Sequence, residues 1–304
     1  MFTFGGNCIQ VGRIRVRGLL LIGALAIAAT GCLPYTTPEG AAPLRYRDSV
    51  FTAVTKTTDV VYGSAVDQTG ATQSLKLDVY QPTGDTLTKR PAIVWVHGGG
   101  FSGGDKTSGE LVDESNVFSK KGYVNVSIDY RLVAGGCSAA AGAQTACLTA
   151  ITDAQHDAQA AVRFLRKNAA TYKIDPDRIA IGGSSAGAIT ALQVGANSED
   201  PGTSGNPGFS SAVRGAVALS GAKLLGPAMT AGDAAELMFH GTTDTAVPYQ
   251  WAVNTQNEAK AAGILSYLTT YQGAGHVPYN NRDEILTQTS NFLYGIMDLA
   301  HAAR

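Results

Sequence analysis

Cysteine, net charge and histidine are all scarce in this chain of 304 residues. Its 4 cysteines cannot form the dense disulfide framework that staples a small secreted domain. Lys and Arg number 23 against 24 Asp and Glu, a formal charge of −1, so there is no basic surplus to hold a nucleic acid. Low-complexity stretches, runs of like charge and internal repeats are absent from the sequence, which gives no sign of a second domain. What remains is 44% apolar, enough for one globular domain with a substantial core.

The N-terminus stands apart. Arg13, Arg15 and Arg17 precede an apolar run, Leu19 to Ala29, followed by Thr30-Gly31-Cys32. A positive flank, a short apolar core and small residues at its end read as an export signal over 1–31, too short for a membrane span. Ala29-Thr30-Gly31-Cys32 also resembles a bacterial lipobox, with Ala29 where Leu is usual. Lipidation of Cys32, and through it contact with a membrane surface in the cell envelope, is the leading expectation; simple cleavage and a retained anchor are the alternatives. Residues 32–58, with Pro34, Pro38 and Pro43, read as a tether, leaving 59–304 as the folded domain. Cys8 falls in the signal, so Cys137 and Cys147 are left as a disulfide in an oxidising compartment, or else as two free thiols.

The chain is organised around Ile179-Ala180-Ile181-Gly182-Gly183-Ser184-Ser185-Ala186-Gly187-Ala188. A short apolar run ends in glycines and opens into a small-residue helix, and Gly183 to Gly187 fits G-x-S-x-G. That spacing has a steric cause. A sharp strand-to-helix turn strains the serine backbone, and only small residues two before and two after permit the close approach. Ser185 is thereby the candidate nucleophile, with a Gly-rich turn as the plain alternative.

Around it, Ala92 to Val96, Val124 to Ile128, Ala216 to Leu219 and Leu237 to Phe239 are short apolar runs suited to strands buried on both faces. Helical stripes lie between and after them, over Ile151 to Tyr172 and Ile285 to Ile296. Val60-Val61-Tyr62 and Leu75 to Tyr80 read as an antiparallel hairpin at one edge. The pattern predicts an α/β fold with a doubly wound, mostly parallel sheet.

His97-Gly98-Gly99-Gly100-Phe101 follows a strand directly, an oxyanion loop of the HGGG type. Gly99 and Gly100, with Ala186 after the nucleophile, are the candidate N–H donors. Only His240, His276 and His301 follow Ser185. His301 is in the tail and His240 ends a strand, reading as a core histidine, so the loop residue His276 is the candidate base. Asp244, past the Phe239-His240-Gly241 strand end, is the candidate acid; Asp233 and Glu236 precede that strand and lie at its wrong end. Phe101, Tyr130 and Trp251 are candidates for a substrate pocket, or equally for the core.

Taken together, the chain from about Leu75 to Leu299 resembles the α/β-hydrolase superfamily, in its esterase branch of hormone-sensitive-lipase-like and acetyl-xylan or feruloyl esterases. The residues that carry the resemblance are His97 to Phe101, Ile128-Asp129-Tyr130-Arg131-Leu132, Asp175-Pro176-Asp177-Arg178-Ile179, Gly183 to Gly187, His240 to Asp244 with Val247-Pro248, and Gly275-His276. It implies Ser185, Asp244 and His276 as a triad hydrolysing carboxylic esters without a metal or cofactor. It implies structural roles for Asp129 and Arg131. Ser184 stands where many relatives carry Asp, and Val133-Ala134 where most carry Ala-Pro. Gly135 to Ala150 forms a Cys-bearing insert, and no stretch is long enough for a large cap domain. A prolyl-oligopeptidase-like peptidase and a non-catalytic surface-binding lipoprotein are the competing readings.

Overall fold

The computed structural model describes residues 36–137, 143–198 and 200–302. The expected export signal, over 1–31, and Cys32 lie outside them. Eight strands make one sheet: β1 (Val54–Val66), β2 (Thr72–Pro82), β3 (Arg90–Val96), β4 (Val124–Ile128), β5 (Ile174–Ser184), β6 (Gly215–Leu219), β7 (Ala235–Gly241) and β8 (Ser266–Tyr271). The helices are α1 (Gly109–Lys120), α2 (Ala143–Lys167), α3 (Ala169–Tyr172), α4 (Ala186–Ala196), α5 (Tyr249–Ala261) and α6 (Arg282–Ile296). Among the described residues, no helix is long and apolar enough to cross a membrane.

The strand order is β1-β2-β4-β3-β5-β6-β7-β8. β1 pairs with β2, and β2 with β4, antiparallel; every other neighbouring pair is parallel. The sequence explains the split. β3, β4 and β6 are buried at every position, as strands covered by helices on both faces must be. β1 is largely exposed, as an edge can be. Each buried Val or Ile in the central strands contributes roughly 1.5–3 kcal/mol through apolar area removed from water. The expected architecture is present, and the 220–234 connection between β6 and β7 carries neither helix nor strand.

The expected tether is corrected over residues 37–58. Val54 already begins β1, and the compact unit starts at Thr37. Tyr46 is 1% exposed and meets Tyr123 edge-on, with ring centroids 5.3 Å apart. The Tyr46 N–H donates to the Lys121 carbonyl at 2.8 Å, and Arg45 pairs with Asp85. A buried tyrosine and a paired arginine hold this proline-containing segment onto the domain.

The parallel register decides where the chemistry sits. Val96 pairs with Gly183 and Ser184 with Leu219, so β3, β5 and β6 end side by side. The loops that follow them therefore share one rim, the carboxyl edge where open α/β sheets place their sites.

Candidate active site

Ser185 sits at the β5–α4 turn with φ 53 and ψ −118, a strained backbone for a residue with a Cβ. Its N–H donates to the Leu219 carbonyl at 2.9 Å. The flanking glycines are there because nothing larger fits. A Cβ on Gly183 would stand 2.2 Å from the Val96 carbonyl oxygen, and one on Gly187 1.9 Å from it. Both glycines flanking this strand-to-helix turn thus press on the end of β3, which also launches the loop His97 to Phe101.

The structure brings Ser185, Asp244 and His276 together. His276 Nε2 lies 2.8 Å from Ser185 Oγ, and His276 Nδ1 lies 2.8 and 3.0 Å from the two Asp244 oxygens. A carboxylate only accepts, so Nδ1 donates to it and Nε2 faces the serine hydroxyl. The side chain of Asp244 is fully buried. Burial works to raise its carboxyl, but hydrogen bonds from His276 and the Val247 N–H outweigh it and hold the group below its usual value. The Ala246 and Val247 N–H groups both donate to Oδ1 at 2.9 Å.

Gly99 and Gly100 have φ of 115 and 61, conformations that favour glycine. Peptides are planar and trans, so anchoring a carbonyl aims the N–H of the same peptide the opposite way. The Gly98 carbonyl is 2.6 Å from His97 Nδ1, which fixes the Gly99 N–H. The Gly99 carbonyl accepts from Ser102 and Gly103 at 3.1 Å, which fixes the Gly100 N–H. Among the described residues the Gly99 and Gly100 N–H groups donate to no backbone carbonyl, and the Ala186 N–H opens α4, where a helix leaves its first N–H groups without an intrahelical partner. A Cβ on Gly98 would lie 3.3 Å from that of Ser185, so this loop runs directly beside the serine.

Burial pushes the His97 imidazole below its usual value, against the pull of the Gly98 carbonyl. The neutral ring donates from Nδ1. Tyr130 stacks on it with centroids 4.3 Å apart, and its hydroxyl donates to the His97 carbonyl at 3.0 Å. Phe101 and Tyr130 are only 1% and 4% exposed, so they offer a substrate no free face. They pack behind the oxyanion loop, the core alternative for these two. Trp251, on the first turn of α5, is 43% exposed.

His240 is fully buried, and its Nε2 lies 2.8 Å from the Val247 carbonyl and 3.3 Å from Asp244 Oδ2. Burial lowers this ring too, so it steadies the acid loop as a neutral group. Asp129 receives the Lys106 N–H at 2.8 Å. Arg131 grips Asp157, Asp153, the Val66 carbonyl and Ser204, tying β1 to α2 as a buried structural centre. Ser220 is a residue the sequence reading missed. Its Oγ accepts the Val277 N–H at 2.9 Å, and its hydroxyl lies beside Asp244 and helps lower it. The available signal was its place directly after β6. Cys137 and Cys147 form a disulfide, their Cα atoms 4.3 Å apart.

Two family models match this chain, one described as BD-FAE over residues 77–213 and one as Phospholipase/Carboxylesterase over residues 148–295. The phenmedipham hydrolase of Pseudarthrobacter oxydans is 36% identical over 118 residues, covering 38% of this chain and 22% of that protein. The acetylcholinesterase of Gallus gallus is 35% identical over 116 residues, covering 38% of this chain and 14% of that protein. The match thus spans about a fifth or less of these relatives' own length. A solved structure of esterase 2 from Thermogutta terrifontis, with butyrate bound, superposes with a TM-score of 0.66 at 23% identity, covering 81% of this chain and 96% of that one. That is a likeness of fold. The chain is thus similar to esterases of the α/β-hydrolase superfamily, over residues 77–213 for one family model and 148–295 for the other.

Proposed function

We propose that this protein is a serine carboxylesterase. The observation that carries the reading is the hydrogen-bonded chain from Ser185 Oγ through His276 to Asp244, at 2.8 Å for each link. In this reading His276 takes the hydroxyl proton as Ser185 attacks the ester carbonyl, and Asp244 holds the ring in its tautomer and stabilises the cation that forms. The N–H groups of Gly99, Gly100 and Ala186 receive the oxyanion of the tetrahedral intermediate. His276 then returns the proton to the departing alkoxide. Water, activated by the same ring, attacks the acyl-enzyme and releases the acid.

Esterase and lipase relatives support the assignment, and so does a structural neighbour that holds a short-chain acid. The bare 220–234 connection supports an open site. Ser185→Ala, with an unchanged circular dichroism spectrum, is expected to lose p-nitrophenyl acetate turnover by about 10⁴-fold or more. Activity within about tenfold of the parent refutes the proposal. Export and lipidation at Cys32 belong to the same proposal; mass spectrometry of the mature N-terminus distinguishes a diacylglyceryl cysteine from simple cleavage.

A further inference from the structure

We infer that the Cys137–Cys147 disulfide is a clamp on the oxyanion loop, so that ester hydrolysis by this chain depends on that bond being oxidised. The inference rests on the serine esterase reading and adds to it a positioning role for two residues outside the triad.

The strand-to-loop segment 97–101 ends in two consecutive left-handed residues, Gly100 with φ 61 and Phe101 with φ 62. Glycine takes this conformation freely, whereas phenylalanine meets a clash between its Cβ and the following carbonyl. Something must therefore hold Phe101 there, and the segment 133–137, which leads into the insert, does. The peptide carbonyls on either side of Phe101 are both gripped by it: the Cys137 N–H donates to the Gly100 carbonyl at 3.0 Å, and the Val133 N–H donates to the Phe101 carbonyl at 2.9 Å. Between those two donors the insert turns on itself, with the Gly136 N–H donating to the Val133 carbonyl at 2.9 Å. It approaches so closely that a Cβ on Gly136 would stand 2.1 Å from the Gly100 oxygen.

The gripping segment 133–137 is fastened at both ends to α2. At its start, Arg131 pairs with Asp153 and Asp157 of that helix, at 2.9 and 2.8 Å. At its end, Cys137 is bonded to Cys147, also in α2. Opening the disulfide releases the end that carries the Cys137 N–H. The Gly100 carbonyl then loses its partner, the Gly100–Phe101 peptide is free to turn, and Phe101 relaxes out of the left-handed region, which shifts the loop that carries the Gly99 and Gly100 N–H groups beside Ser185. Both sulfur-bearing residues are half-buried, within reach of a small dithiol.

The opening reaction balances as ordinary thiol–disulfide exchange. A thiolate of dithiothreitol attacks one sulfur and expels the other as a thiolate. Its second thiolate then closes the cyclic disulfide and releases the remaining cysteine, and both protein thiolates take up protons. Two electrons pass from reductant to protein.

The test compares oxidised protein, dithiothreitol-reduced protein and the Cys137→Ser/Cys147→Ser double variant. The state of the bond is read by mass, and the temperature is kept well below unfolding. The expected result is a kcat for p-nitrophenyl acetate that falls about tenfold on reduction or substitution, less than the loss on deleting an oxyanion donor outright, with KM changing less than about twofold. Reoxidation with glutathione disulfide restores it. Amide hydrogen exchange at residues 133 and 137, whose N–H groups donate to the Phe101 and Gly100 carbonyls, rises in parallel. An unchanged kcat in protein with a verified open bond overturns the inference, even if the melting temperature drops, because that drop alone marks a merely structural cross-link. If oxidised protein hydrolyses no ester, the esterase reading fails separately, and unaltered exchange at residues 133 and 137 then overturns the clamp by itself.

Discussion

Replacing Asp244 by asparagine tests the hydrogen-bond directions in the site without changing its volume. The Ala246 and Val247 N–H groups both point at Asp244 Oδ1, each at 2.9 Å. An asparagine must turn its carbonyl oxygen toward these donors. Its NH₂ then falls where Oδ2 was, 2.8 Å from His276 Nδ1 and 3.3 Å from His240 Nε2. An amide nitrogen donates, so it cannot accept the Nδ1 proton. The His276 proton is driven to Nε2, the atom 2.8 Å from Ser185 Oγ, and the ring can no longer take the hydroxyl proton. In a Ser-His-Asp site this inversion costs about 10⁴-fold in kcat, or about 5 kcal/mol of transition-state stabilisation. The assay is steady-state hydrolysis of p-nitrophenyl acetate at about pH 8. The fold is checked by circular dichroism. A folded Asp244→Asn protein within about tenfold of the parent in kcat would refute the reasoning.

Three further outcomes follow from the same geometry. His97→Ala removes the donor that anchors the Gly98 carbonyl, and kcat is expected to fall about 10- to 100-fold with little change in KM; a selective rise in KM would contradict a role in aiming the Gly99 N–H. Gly187→Ala would place a methyl group 1.9 Å from the Val96 carbonyl oxygen, so folded protein is not expected to accumulate, and a soluble, active Gly187→Ala protein would contradict the packing of the elbow. Glu236, 3% exposed on β7, has its carboxyl pushed by burial from 4.5 up to about 7, even though it accepts a hydrogen bond from Ser266. The folded state thus binds this proton more tightly than the unfolded chain. The associated stability, about 3 kcal/mol, is fully present below about pH 4.5 and lost as pH rises toward 7. Glu236→Gln is expected to raise the melting temperature at about pH 8 and to leave it nearly unchanged at about pH 4.5; equal shifts at both would contradict the assignment.

Much of this could be read from the residues because the constraints are local and steric. Gly183 and Gly187 are required by one carbonyl oxygen at the end of β3, and that demand is written into G-x-S-x-G. The central strands were legible because burial on both faces leaves apolar runs. The docking of residues 37–53 was not legible, because Tyr46 and Arg45 find Tyr123 and Asp85 far along the chain, while the prolines suggested an unattached segment. α1 was obscure for a different reason: Glu114, Ser115 and Ser119 lie on its buried face, which blurs the apolar stripe. Phe101 and Tyr130 were left between pocket and core, since an aromatic residue beside a nucleophile serves either, and only their burial decides. Ser220 offered only its place directly after β6. Its place in the site comes from a hydrogen bond across two loops, a contact fixed by the sheet.

The most direct measurement of the central claim is covalent labelling of the native protein with a fluorophosphonate, followed by digestion and fragmentation of the tryptic peptide 179–214. The account predicts a single phosphonyl adduct on the Ser185 hydroxyl, formed by the parent protein and lost in both Ser185→Ala and His276→Ala. No adduct on folded protein, or an adduct on any other side chain, would contradict it.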